Sequence, residues 1–181
     1  MPVWDPTLPQ TRTGRFWVYI GDLRHPYVVY DYTPRVLRDL GYDLAVTKLK
    51  IRPGKPFVFA TRRRVDLPPF VFGLPGNPVS SLVGFELFVR PALAALQAAA
   101  DPGPVFEAGR LATPLRRNQA RDQLVRARRT TGADGTRLAP LSGQESHMIV
   151  RAAAANALVL VPRGDGELAA GETVRYLPLP G

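Results

Sequence analysis

The stretch that decides the fold is "VFGLPGNPVSSLVGFELFVRPAL", Val71 to Leu93. It opens as a short apolar run of strand type and breaks at Leu74-Pro75-Gly76-Asn77-Pro78. It then becomes a long pattern with apolar residues three and four apart: Leu82, Val83, Phe85, Phe88, Val89, Leu93 and, just beyond, Leu96. That period predicts a helix packed by one face. Asn77 is a good N-cap and Pro78 suits the first helical position. Pro91 falls inside the pattern, where its missing N–H and its ring predict a kink or a division.

Such a turn can serve an anion. The first N–H groups of a helix lack partners within it, and the helix dipole adds partial positive charge. Gly76 permits a positive φ and close approach of a ligand. Asn77, Ser80 and Ser81 add polar side chains. The expectation is a cradle suited to phosphate. The same residues also suit a capped strand-to-helix turn with no ligand, since the glycines follow no Walker or Rossmann spacing.

Upstream, "DYTPRVLRDLGYDLAVTKLKIRPGKPFVFATRRR" reads as a helix from Thr33, stopped at Gly41, then strands over "DLAVTKLKI" and "PFVFAT"; "PFVFGL" at 69–74 is a third strand. Helix, three strands and a long helix are part of an α/β layered domain. On one strand Lys48, Lys50 and Arg52 would share a face, and Pro53-Gly54 would turn to present Lys55. These cations form either an electrostatic clamp beside the cradle or a solvated edge that discourages aggregation. The "RRR" at 62–64 reads as a solvated hairpin tip. Residues 1–30 show one strand-like run, Phe16 to Ile20, among prolines.

"DPGP" at 101–104 marks a boundary. Beyond it, short strand-type runs ("QLVRARR", "ALVLVP", "TVRYLPL") alternate with turns, which predicts a small β-barrel or sandwich. "GQESHMIV" places Ser146 and His147 beside Gln144 and Glu145; a capped helix start explains this better than a catalytic triad, whose members converge from separate elements.

The bulk numbers bound the rest. The chain has 181 residues, 45% of them hydrophobic, and no cysteine, which excludes disulfides and thiolate chemistry. Its net charge is +9, and residues 31–100 carry ten basic against five acidic side chains. That balance favours an anionic partner, although an Arg-rich, Ala-rich composition alone could produce it. Aromatic residues do not interleave with the basic ones on an evident face, so no nucleic-acid platform is expected. No apolar run reaches the roughly 18 residues of a bilayer span, and the N-terminus is not of signal-peptide type. A cytoplasmic protein without membrane contact is expected. With two histidines, His25 and His147, no multi-histidine metal site is expected; Asp31 is a candidate ligand for a hard cation.

In order, "KLKIRPGKPFVFA", "FGLPGNPVSSLVGFELFVRPAL", "GQESHM" and "LAAGETVRYLPL" resemble molybdopterin molybdenumtransferases, the MoeA and gephyrin E-domain family, over residues 31–181. The resemblance implies a fold: part of a three-layer α/β, molybdopterin-binding domain over 31–100, then a small β-barrel-like domain over 104–181. It also implies an activity, insertion of molybdate into adenylylated molybdopterin with release of AMP, assisted by Mg2+, in a homodimer or with another chain. By motif it implies Asp31, Lys48, Arg52 and Lys55 as catalytic residues, with Asp31 also at the metal. Pro75, Gly76, Asn77, Pro78, Ser80, Arg121, Ser146 and His147 would bind substrate. Two positions depart from the family: Arg52 stands for a usual lysine, and Glu145 for a usual glycine. The family's "TGDEL" and "SGGVS" motifs are not in the sequence, and residues 1–30 resemble nothing in the family. The expectation is therefore a C-terminal part of the family fold, either catalytic with a partner or a pterin- or phosphate-binding remnant.

Overall fold

The computed structural model describes residues 17–20, 33–62, 69–142 and 154–179. Its first unit is built on β1 (Trp17–Ile20), β2 (Asp43–Lys48), β4 (Pro56–Thr61) and β5 (Phe70–Leu74), in the order β1-β5-β4-β2. β1 runs parallel to β5, and the other two pairings are antiparallel.

Alternation divides this sheet between two layers, because successive side chains of a strand face opposite ways. Val58 and Ala60, with Leu44 and Val71, pack on Leu37 of α1 (Thr33–Asp39) and on Tyr42. The intervening Phe57, Phe72 and Leu74 pack with Val89, Phe85 and Phe88 of the long helix. Ring centroids of Phe57 and Phe88, and of Phe59 and Phe72, are 4.7 Å apart. One helix on each face makes the three-layer α/β arrangement that the resemblance implies.

The long helix has three parts: α2 (Pro78–Gly84), a π-turn over Phe85–Val89, and α3 (Arg90–Leu96). Pro91 explains the middle one. In a regular helix its ring would press on the carbonyl four residues back. Here the turn before it widens, and the Arg90 N–H reaches the Phe85 carbonyl five residues away. The helix therefore changes pitch without breaking.

As one element, Pro78–Leu96 is 19 residues long and apolar enough to cross a bilayer by length and composition. This corrects the count of apolar runs, which Glu86 and Arg90 interrupt. Its apolar residues are instead used in packing: Val89 against the sheet, Leu82, Val83 and Leu87 against the second unit.

That unit holds β6 (Glu107–Leu111), β7 (Leu115–Arg116), β8 (Asp122–Gly132), β9 (Gly135–Pro140), β10 (Ala157–Val161), β11 (Glu167–Leu168) and β12 (Thr173–Pro178). The order β10-β12-β6-β9-β8, with β8 also pairing β10, closes a five-stranded barrel. Barrel rather than sandwich follows from that last pairing. Val125, Ala127, Leu138, Ala157, Val159, Val161, Val174 and Tyr176 fill the inside. The Tyr176 hydroxyl donates to Glu107, which also lies 3.6 Å from Arg129.

Arg62 departs from the expected solvated tip. It is only 8% exposed, donates to the Leu40 carbonyl and lies 5.4 Å over the Tyr42 ring. An aromatic face and a carbonyl hold a guanidinium more firmly than water holds a lone tip residue. Residues 63 and 64 lie outside the described residues.

Candidate functional site

The sequence reading puts Lys48, Lys50 and Arg52 on one continuous strand. The structure divides it. β2 ends at Lys48, and a separate two-residue strand, β3 (Ile51–Arg52), leaves the first sheet for the barrel. β3 runs parallel to β8, with Ile51 in register with Asp122 and Arg52 with Gln123. Alternation therefore does not carry across Leu49-Lys50, and the three cations lack a common strand face. The cause is the turn itself. Leu49 N–H bonds the Lys55 carbonyl at 3.1 Å, closing a loop whose tip is free to pair elsewhere.

Gly54 shapes that loop. It is buried, with φ +115°, a region side chains avoid. A Cβ there would lie 3.3 Å from Ile51 Cδ1 and 3.9 Å from the Ser80 carbonyl oxygen. Gly54 thus seats the loop against the first turn of the long helix, and Arg52 and Lys55, both exposed, flank the contact.

The helix start differs from the expectation in three ways. Asn77 Oδ1 accepts from Val79 N–H at 3.1 Å and from Ser80 N–H at 3.2 Å, and Asn77 O accepts from Ser81 N–H at 2.9 Å. Pro78 has no N–H, so the first-turn donors expected to face a ligand are consumed by the cap. Gly76 is not among the glycines of positive φ; the left-handed glycine at this place is Gly54. Ser80 is buried, and its hydroxyl turns back to Asn77 Oδ1 at 3.4 Å. The Ser81 hydroxyl donates to the carbonyl of Pro75, which is itself buried. The helix dipole remains, but the charge for an anion must come from the neighbouring cations.

Arg121 comes from the barrel. It precedes Asp122, the register partner of Ile51, and its N–H donates to Asn118 Oδ1 at 2.9 Å. The two-residue β3–β8 ladder thus sets Arg121 one position before the Ile51–Asp122 pair, beside the start of the loop that Leu49 and Lys55 close. Sequence reasoning missed this pairing, and Gln123 with it, whose buried Oε1 has no hydrogen-bond partner among the described residues. Leu82, Val83 and Leu87 of the helix, with Ile51, pack against the outward-facing Leu124, Leu158 and Leu177 of the barrel and hold the junction. Lys48, at the end of β2 opposite Pro56, is exposed. Asp31, Ser146 and His147 lie outside the described residues.

One acidic side chain in this neighbourhood, Asp122, is engaged by the Arg163 N–H at 2.8 Å. Another, Glu86, is buried in the π-turn and held in two hydrogen bonds by Arg90, at 2.7 and 2.8 Å. That contact raises the Arg90 guanidinium above its ordinary pKa. No three Asp, Glu or His side chains among the described residues come together as metal ligands.

The comparisons with known proteins agree with this architecture. A family model described as "MoeA C-terminal region (domain IV)" matches residues 108–179, and one described as "Probable molybdopterin binding domain" matches residues 29–95. The molybdopterin molybdenumtransferase of Staphylococcus aureus (strain COL) is 30% identical over 145 residues, which are 80% of this chain and 34% of that protein. That of Staphylococcus epidermidis (strain ATCC 12228) is 29% identical over 147 residues, with the same coverage. Among solved structures, the molybdopterin biosynthesis MoeA protein of Pyrococcus horikosii superimposes with a TM-score of 0.64 at 28% identity, covering 83% of this chain and 35% of that one. A molybdenum cofactor biosynthesis protein of Pyrococcus furiosus gives 0.59 at 27%, covering 76% and 46%. The chain spans about a third of the length of these curated relatives. The chain has an α/β layer that meets a closed barrel through β3, and it belongs to the MoeA family of molybdenum cofactor biosynthesis, matching the family's C-terminal part.

Proposed function

We propose that this chain takes part in inserting molybdate into adenylylated molybdopterin, with release of AMP, and that its share is to hold the ligand's phosphates. The supporting observation is the meeting of three segments. A Cβ built on Gly54 would lie 3.9 Å from the Ser80 carbonyl oxygen at the helix start, and Ile51 is in register with Asp122. Arg52, Lys55 and Arg121 therefore come from two units to one seam. Cations fixed before the reaction stabilise charge as it develops on a departing phosphate, without having to reorganise.

Mg2+ assists in this proposal with Asp31 as its candidate ligand, a residue outside those described; no three Asp, Glu or His side chains come together among the described residues. Association with a second copy or another chain belongs to this proposal, as the resemblance implies. Sedimentation at increasing concentration tests it: a concentration-independent monomer would count against a second copy.

The test of function is calorimetric titration with adenylylated molybdopterin at fixed salt, followed by chromatography for AMP after molybdate is added. Saturable binding that weakens with salt supports the reading, and no binding overturns it. Binding without AMP release favours the second reading, a chain that holds a pterin phosphate without turnover. The observation behind that alternative is that the side chains gathered at the seam, Arg52, Lys55 and Arg121, are all cations, which hold an anion without cleaving it.

A further inference from the structure

Two loops at one end of the barrel, residues 117–122 and 162–166, are stitched together. Arg117 N–H donates to the Gly166 carbonyl at 3.0 Å, and Gly164 N–H to the Asn118 carbonyl at 2.9 Å. The Arg117 guanidinium spans two carbonyls, with Nε on Pro162 at 3.1 Å and an Nη on Arg163 at 2.8 Å. Gln119 donates to Asp165 at 2.7 Å, and Asp122 accepts from Arg163 N–H. Gly164 makes room for the clamp. Its φ is +153°, and a Cβ there would fall 2.6 Å from the guanidinium carbon of Arg117. Neither fork nor glycine touches the seam, yet Arg121 and Asp122 are the residues that the stitched loop delivers to β3.

We propose that Arg117 is a positioning residue: by clamping the 162–166 loop it holds Arg121 in place and, through the Asp122–Ile51 register, the turn that carries Arg52 and Lys55. A rigid fork with two donors can bridge two adjacent carbonyls, which a lysine ammonium does at a single point. The consequence for binding rests on the phosphate-holding role of Arg121; the mechanical part does not.

The first arm of the test needs no ligand. Amide hydrogen exchange is compared in the full chain for wild type, Arg117→Lys and Gly164→Ala. Exchange should rise roughly ten- to a hundredfold at the amides of Arg121, of position 164 and of Ile51, Arg52, Gly54 and Lys55, as expected when charge-assisted bonds that close a local opening are lost. Strand β12 should keep its protection, showing that the barrel stays folded. A rise confined to 162–166, or wild-type protection in Arg117→Lys, overturns the proposal.

The second arm measures affinity for molybdopterin in Arg117→Lys, Arg121→Ala and the double variant. Arg117→Lys should weaken binding alone and add nothing once Arg121 is gone. An equal loss in both backgrounds means that Arg117 acts independently, which overturns positioning. If Arg121→Ala binds like wild type, the phosphate role of Arg121 falls, while the exchange arm still decides the clamp.

Discussion

Ile51 and Asp122 lie side by side in parallel register, and this pair is where the backbone of the α/β layer joins the barrel sheet. The ladder is two residues long. Its hold depends on Gly54 to turn the chain and on the leucines around it to keep water out.

Gly54→Ala should therefore destabilise the chain by about 1–3 kcal/mol, the range for a side chain forced into a sparsely populated φ. The added Cβ also presses on Ile51. Urea unfolding should show a lower midpoint with an unchanged slope. A stability equal to wild type would mean that the loop can relax without cost.

Asn77→Ala should cost about 0.5–2 kcal/mol, because Val79 and Ser80 N–H lose their shared acceptor. Asn77→Asp should keep most of that stability, since a carboxylate caps as well. It should nevertheless weaken anion binding, because it sets a negative charge beside the proposed site. Thermal unfolding and titration of the two variants separate the cap from the charge.

Lys55→Ala and Arg52→Ala should each lower affinity for molybdopterin by about ten- to a hundredfold, the worth of one charge-assisted contact. Both side chains are exposed, so the unfolding midpoint should stay within experimental error. Calorimetry at fixed salt reads the first quantity and urea titration the second. Loss of stability in either variant would mark it as structural.

Arg90→Leu should destabilise the chain by about 1–3 kcal/mol, because it strands a buried carboxylate. Glu86 is 5% exposed and bonds Arg90 through both oxygens, whereas Arg90 itself is 52% exposed. Adding Glu86→Met should restore most of the loss, because replacing both members of a buried pair is far milder than removing one. Urea midpoints of the single and double variants check the sign.

Much of the architecture was legible because it follows from periods and caps. Asn77 before Pro78, apolar residues three and four apart, and the short apolar run "PFVFAT" each point to one local structure, and the fold keeps all three. The seam was not legible. A two-residue strand has no period to read, and its partner is about seventy residues away, so nothing local in "KIRPGK" separates it from the end of β2. The anion cradle was only half legible. Asn77 predicts a cap, but no sequence rule says that the cap will take the donors otherwise left for a ligand. Arg117 was invisible among many arginines; Gly164, in the stretch "RGDG" at 163–166, was the one local hint.

Strand β10 has a consequence for folding. Ala157, Val159 and Val161 face the inside of the barrel, while Leu158 and Leu160 between them face the long helix. One strand thus belongs to two cores at once. Excised at residue 104, the barrel would carry Leu124, Leu158 and Leu177 into water, and the helix would lose the surface that covers Val83. The barrel is therefore not a module that can be lent to another protein: its outer wall is the floor of its neighbour, and the two halves should melt as one.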